Sequence, residues 1–565
     1  MKKITLLASL IAGLSLSSYT FALDQSDIQT ISQHIEQRLT EGETTGISIA
    51  VVKDNTPIIL KGFGLANVDT QQLVTPDTQF RIASITKTFV TLAVLKLVNE
   101  GKLSLDDSVY KYLSDFKPKI LPNNNGQLTV RDLLTHQSGI PTGWYRGDEP
   151  TTTPIEDLNS LTTLLSNDYL VWNRGTISAY NNNAFGLAGL LVSRVSGKNW
   201  QDYLQSEFFT PLAMHNTLSH LPNGPLPEHM AQSYDGNTQE PKFASLLTPA
   251  GGIISTGNDM ARYMQAILDS WNYDSHAILP SQLIKQVRNL QNGHIQLDGD
   301  HEMGLGFFID HFNGHIAISH DGSYQGYESM MYIVPELNFG VFVTTNNRDG
   351  DDTVFDIADM VTNMVTQSVK GPFLDNKNTQ TSSSQPPQSK TLEAGFYAGR
   401  RNIFIEKTPN GEFVMFTPGQ AIKQLKQVDS DSYQIIGEEG DVRIKLTQAI
   451  DGFRFTYNGK DSANVFSKLV TTKLTPELEK LLGYYQVETT NPEIGDIELR
   501  YSPEFQALLA VSVKHGFVRA LKVVDENLLQ VQGYGRGIGT VFDFQEPDKL
   551  KALGYQFKKI TAQMQ

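Results

Sequence analysis

The sequence predicts a mixed α/β domain, an antiparallel sheet flanked by helices, followed by two small all-β modules. Three observations predict it. Strand-like runs pair across turn residues near both ends of the first 370 positions, helical runs lie between them, and beyond a polar break the pattern becomes short alternating strands that recur in two copies.

The chain opens with Lys2 and Lys3, an apolar stretch from Ile4 to Leu16, and Thr20-Phe21-Ala22. This is the layout of a secretory signal peptide over residues 1–22, cut after Ala22. Its apolar core is shorter than the ~20 residues needed to span a bilayer, so no integral membrane segment is expected after cleavage, and the protein is expected in the periplasm or secreted. Cleavage takes two lysines and no acids from a chain of net charge −15, leaving −17. That charge argues against nucleic acid or an anionic membrane as a partner. Cysteine is absent, which excludes disulfides, thiolate nucleophiles and thiolate metal sites.

Residues 23–370 form the first expected domain. GISIAVVKDN and PIILKGFG, around Asp54-Asn55, read as an antiparallel hairpin, and YESMMYIVPELNFGVFVTTNN reads as another. TFVTLAVLKLVNEG and GNDMARYMQAIL between them read as helices. The polar, Pro-containing stretch from Gly371 to Lys390 reads as a linker, placed at 371–391.

Two modules follow, at 392–470 and 471–565, with Asn-Gly turns at Asn410-Gly411 and Asn458-Gly459. Leu392-Glu393-Ala394-Gly395-Phe396-Tyr397 resembles Leu481-Leu482-Gly483-Tyr484-Tyr485, and Phe466-Ser467-Lys468-Leu469 resembles Phe557-Lys558-Lys559-Ile560. The glycines are 88 residues apart and the phenylalanines 91, so the modules are of similar size.

Chemistry concentrates in three places. In RIASITKTF, Ser84 and Lys87 are three apart at the start of an apolar run, so a helix beginning near Ser84 puts both on one face at its N-terminus. Free N–H groups there favour developing negative charge, and a desolvated lysine can polarise a serine hydroxyl. Phe89, Leu92, Leu95, Leu97 and Val98 would bury the rest, and Glu100-Gly101 would end the helix. Ser108-Lys111 and Ser114-Lys117 share the spacing and read as solvated surface. Tyr180-Asn181-Asn182 is the one Tyr-x-Asn, offering a phenol as general base and an amide as positioning group. His320-Asp321-Gly322 leads into a strand where a substrate backbone could lie close; Lys514-His515-Gly516 is a rival in the second module.

Taken in this order, Ser-x-x-Lys, Tyr-x-Asn and His-x-Gly resemble the serine β-lactamase and penicillin-binding protein superfamily, in its class C β-lactamase-like and D-aminopeptidase-like branch. LTVRDLLTHQSGIP and TPAGGIISTGNDMARY also resemble that branch, over roughly residues 28–365. The resemblance implies a serine β-lactamase-like α/β (α+β) domain with a helical lobe, and barrel-like β modules. It makes Ser84 the acylated nucleophile, Lys87 its proton-handling partner, Tyr180 the general base and Asn182 a positioning residue. His320 and Gly322 belong to the edge strand, and the backbone N–H groups of Ser84 and Ser323 to the oxyanion hole. Which of Lys87 and Tyr180 takes the first proton stays open. His320 stands where efficient β-lactamases have the lysine of Lys-Thr-Gly, which lowers the expectation of strong antibiotic hydrolysis.

The expected function is an exported serine hydrolase acting through an acyl-enzyme on amide bonds of cell-wall D-amino-acid peptides, as a D-Ala-D-Ala carboxypeptidase or D-aminopeptidase. Esterase or weak class C-like β-lactamase activity is the alternative, and an inactive envelope-binding protein is the alternative of another class. Substrates would be small peptides, β-lactams or esters, with no cofactor and no metal. His311, His315 and His320 carry neither an HExxH nor a second carboxylate motif, and no Gly-x-Ser-x-Gly elbow marks an α/β-hydrolase. Trp144 and Tyr145 are candidates to line the cleft. The oligomeric state is left open.

Overall fold

The computed structural model describes residues 23–142, 157–220, 227–240, 245–273, 278–293, 302–369 and 391–560, except 400, 418–419, 439, 448–451, 458–459, 490–494, 536 and 547. The leader at 1–22, Trp144 and Tyr145, the linker from Gly371 to Lys390 and the Asn458-Gly459 turn lie outside the described residues.

The first domain is built on an antiparallel sheet. Its strands are β1 (Gly46–Lys53), β2 (Thr56–Asn67), β3 (Gln72–Leu73), β4 (Glu302–Met303), β5 (Phe308–Phe312), β6 (His315–Tyr324), β7 (Tyr327–Val334) and β8 (Phe339–Thr345), in the order β4-β5-β6-β7-β8-β1-β2-β3. The β1–β2 hairpin turns at Asp54 and Asn55, both at positive φ (50° and 59°), the geometry Asn and Asp tolerate. The β7–β8 hairpin turns through Pro335–Leu337, and Asn338 at φ 46° closes it. Chain ends therefore meet in mid-sheet, where β1 pairs with β8 from Ile47↔Thr345 to Lys53↔Phe339.

Alternation along these strands feeds two cores. Ile47, Ile49 and Val51 face one side with Met330, Val334, Val341 and Val343, under helices α1 (Gln25–Thr40) and α5 (Asp351–Gln367). Ala50 and Val52 face the other with Met331, Ile333 and Phe342, against α2 (Thr86–Asn99) and α4 (Gly257–Asn272). Both faces are covered, so β1, β7 and β8 read as nearly continuous apolar runs. Every residue of α2 from Thr86 to Leu95 is buried, which makes it the axis of the helical lobe, with α3 (Asn182–Ser196) beside it. Phe89 of α2 stacks on Tyr263 of α4 with centroids 3.8 Å apart.

The described residues after position 390 form two closed antiparallel barrels of eight strands each, from Gly395–Ala398 to Lys460–Lys468 and from Gly483–Val487 to Tyr555–Ile560. The repeated phrases of the sequence are their seams: the opening strand pairs with the closing one at Tyr397↔Lys468 in the first and Tyr484↔Ile560 in the second. Tyr397 Oη donates to the carbonyl of Glu393 at 2.9 Å, and Tyr485 Oη to that of Leu481 at 2.8 Å, the same closure in both. Gly395 and Gly483 sit at positive φ (155° and 138°), and a Cβ there would meet Lys468 and Lys559.

Candidate active site

The Ser84 segment is a 3₁₀ turn, Ala83–Ile85, running into α2, so the α-helix proper begins at Thr86 and Ser84 lies in the turn before it. α2 ends at Asn99, with Glu100 as its C-cap and Gly101 at φ 67°. Ala83 has φ 46°, a costly conformation for a residue with a Cβ, and the surroundings hold it there. Ile82 N–H donates to the Ile253 carbonyl, Ile253 N–H donates to Thr86 Oγ1, and Ser329 Oγ of β7 donates to the Ile82 carbonyl at 3.1 Å. On β6, a Cβ on Gly322 would lie 2.4 Å from the Ile82 carbonyl oxygen. The close approach this glycine permits is thus between β6 and the serine turn, and it brings the β6 segment around Ser323 beside that turn.

Lys87 is fully buried. Its Nζ donates to Ser84 Oγ at 3.1 Å and to the Ala250 carbonyl at 2.7 Å, and lies 4.7 Å from the centroid of the Tyr180 ring. Three sequence-derived residues therefore converge, with Ser84 half-buried at the surface end. The Ala250 carbonyl escaped the residue-by-residue reading, because a backbone acceptor has no side-chain signature; the TPAGG phrase was its only trace.

The three consecutive asparagines divide their work. Asn181 caps α3, accepting from Ala184 N–H at 3.0 Å, and its Nδ2 donates to the Ile140 carbonyl at 2.8 Å. Asn183 Nδ2 donates to the Pro141 carbonyl at 3.0 Å. Asn182 Oδ1 is buried with no hydrogen-bond partner among the described residues, an acceptor left for a substrate or a shifted side chain. Tyr180 is held by His136, whose ring lies 4.5 Å away and whose Nδ1 accepts from Asn181 N–H at 3.0 Å.

His320 is fully buried on β6, which is an interior strand and not the edge strand expected from the sequence. β5 pairs with β6 only from Phe312↔His315 to Phe308↔Ser319, so His320 is the first residue past that pairing. Its ring lies 4.7 Å from Phe308 and 6.2 Å from Tyr180. Its Nδ1 donates to the Asp321 carbonyl at 2.6 Å, which fixes that proton. His311 and His315 go elsewhere, to Glu302 and the Val369 carbonyl. Among the described residues no group of three or more His, Cys, Asp or Glu could hold a metal ion. The rival spacings are surface features: Ser108, Lys111, Ser114, Lys117 and Lys514 are all exposed.

The barrels are not pendant. Val465 of the first packs with Ile177 and Ala179, on the irregular segment entering Tyr180. The second places Tyr534 against Trp172, donates Gly537 N–H to Thr142 Oγ1 at 2.7 Å and pairs Asp543 with Lys119 at 2.6 Å. The catalytic-candidate residues all precede Gly371, yet a chain ending at residue 370 leaves Val171, Trp172, Ile177 and Ala179 uncovered. We expect it to melt lower than the full chain and to be acylated at Ser84 more slowly, measured by calorimetry and labelling rate; equal values in both would make the barrels energetically independent.

A serine–lysine pair at a helix start, faced by a tyrosine and a strand of an antiparallel sheet, is the arrangement of serine hydrolases that work through an acyl-enzyme. The chain belongs to the Beta-lactamase family, whose model matches residues 31–361. It is 30% identical over 330 residues to Protein flp of Staphylococcus aureus (strain MRSA252), covering 57% of this chain and 63% of that protein. It thus spans less than two thirds of that curated relative. Among solved structures it is similar to the octameric penicillin-binding protein homologue from Pyrococcus abyssi (TM-score 0.52, 22% identity, 78% of this chain and 100% of that one). It is also similar to a β-lactamase/D-alanine carboxypeptidase from Yersinia pestis (TM-score 0.51, 24% identity, 60% of this chain and 99% of that one). At these identities the structural likeness shows the fold alone. Among the described residues no helix is long and apolar enough to cross a membrane.

Proposed function

We propose that the protein is an exported serine hydrolase that cleaves amide bonds of cell-wall D-amino-acid peptides, in the manner of a D-Ala-D-Ala carboxypeptidase or D-aminopeptidase. The observation that carries the reading is the buried Lys87 Nζ, 3.1 Å from Ser84 Oγ and 4.7 Å from the Tyr180 ring. The Yersinia pestis neighbour is named for both β-lactamase and D-alanine carboxypeptidase, which agrees with an amide substrate and does not choose between the two. Export rests on the leader at 1–22.

In this reading Ser84 Oγ bonds to the substrate carbonyl carbon while its proton passes to the Lys87–Tyr180 pair. The carbonyl π electrons move to oxygen, where the N–H groups of Ser84 and Ser323 receive the charge. Collapse breaks the C–N bond, and the stored proton goes to the leaving amine. Water then repeats the attack on the acyl-enzyme, releasing the acid and restoring the serine. The lysine-to-histidine change at position 320 places β-lactams below peptides as substrates.

The test is to incubate the mature protein with a fluorescent penicillin or a fluorophosphonate, map the adduct, and profile release from D-peptides, penicillins and short acyl esters. We expect the adduct on Ser84 and turnover of D-peptides above penicillins. Turnover of esters alone would replace the peptidase reading by the esterase one.

A further inference from the structure

One buried acid near the site has no part in this mechanism. Glu328 of β7 is 5% exposed and stands opposite Ser323 of β6 in the strand register. Ser323 Oγ donates to Glu328 Oε1 at 2.8 Å. Ser323 is also the residue whose backbone N–H is assigned to the oxyanion, so a carboxyl group is fastened to the back of the oxyanion strand.

The groups facing it discourage ionisation. Asp321 lies on β6 and Asp351 at the start of α5, both acting to keep a proton on Glu328. Arg348, in the turn before α5, acts the other way, but its guanidinium is engaged by Glu240 at 2.5 Å and by Asp235 at 3.5 Å. Burial pushes the Glu328 carboxyl up to about 8, and the Ser323 hydroxyl draws it partly back.

We propose that Glu328 is a positioning residue of the acyl-transfer site: as a neutral carboxyl it anchors Ser323, and its ionisation switches acylation off in mild alkali by putting negative charge behind the oxyanion hole. The inference rests on the reading given under Proposed function. A carboxylate one side chain from the Ser323 amide opposes the charge that the amide must receive; Ser323 is exposed, but Glu328 is buried, so the opposition is only partly screened.

The experiment compares the full chain with its Glu328→Gln variant, which retains a hydrogen-bond acceptor and cannot ionise. Phosphonylation of wild-type Ser84 by a fluorophosphonate, with fluoride leaving, should fall by about ten- to a hundred-fold as pH rises through 8, and the variant should show no such fall. Stability gives a readout independent of chemistry. A carboxyl whose folded pKa lies above its unfolded one binds its proton more tightly when folded. Wild type should therefore lose stability relative to Glu328→Gln as pH rises from about 4.5 to about 8, and no further above that. A second variant, Ser323→Ala, removes the hydroxyl that draws the carboxyl down and should move the wild-type fall to higher pH. Ser84 labelling that declines with the same midpoint in wild type and Glu328→Gln, or a midpoint unmoved by Ser323→Ala, overturns the inference alone. No label on Ser84 at any pH overturns the serine-hydrolase reading and this inference with it.

Discussion

Replacing Ser84 by alanine is expected to abolish covalent labelling by fluorescent penicillin and fluorophosphonate while leaving the protein folded. The change deletes one half-buried oxygen at the end of a turn whose geometry is fixed by others: Ile82 and Ile253 pair through the backbone, and Ser329 holds the Ile82 carbonyl. Alanine fits any backbone that serine adopts here. Lys87 loses one acceptor and keeps the Ala250 carbonyl at 2.7 Å, so its buried Nζ is not left without a partner. The melting temperature should therefore shift by only a few degrees, the scale of one ordinary hydrogen bond. The measurement is gel fluorescence with adduct mapping, beside calorimetry on the same preparation. Labelling that persists unchanged in a folded Ser84→Ala protein would place the nucleophile elsewhere. The other serines at Ser-x-x-Lys spacing, Ser108 and Ser114, are exposed, and Lys111 is already paired with Asp107 at 3.0 Å.

What the sequence made legible follows the range of the forces involved. The Asp54-Asn55 turn could be read because two adjacent residues at positive φ leave a chemical trace in the chain itself. The barrel seams could be read because each opening phrase pairs with its own closing phrase, so both copies had to keep compatible residues. Ser84, Lys87 and Tyr180 were visible as a pattern of residue types, and the structure brings them together. The sequence did not reveal the Ala250 carbonyl, which any residue could supply, or the docking of both barrels on the segment leading to Tyr180. That contact joins Thr142 to Gly537 across almost 400 positions, through a backbone amide and a hydroxyl with no pairing signature. Glu328 escaped for a related reason: a glutamate in an apolar strand reads as solvent-facing until the register puts it opposite Ser323.

Tyr180→Phe should slow acylation or deacylation by about 10²-fold or more, the scale of general acid–base catalysis. The substitution is informative because the ring makes the contacts that pack this residue. Lys87 Nζ lies 4.7 Å from the ring centroid, and the rings of His136, His320 and Phe308 lie 4.5, 6.2 and 6.4 Å away. Phenylalanine keeps all four contacts, so the fold and the buried lysine keep their packing while the hydroxyl alone is lost. Asn181 keeps its cap on α3 and its backbone bond to His136. A fall in kcat with little change in KM would mean that the hydroxyl handles a proton in the transition state rather than binding the ground state. Single-turnover labelling then separates the steps: a slow first adduct assigns the hydroxyl to serine activation, and a normal first adduct that accumulates assigns it to the attack of water. Near-normal turnover on every accepted substrate would remove Tyr180 from the mechanism and leave Lys87, held between Ser84 and the Ala250 carbonyl, as the base.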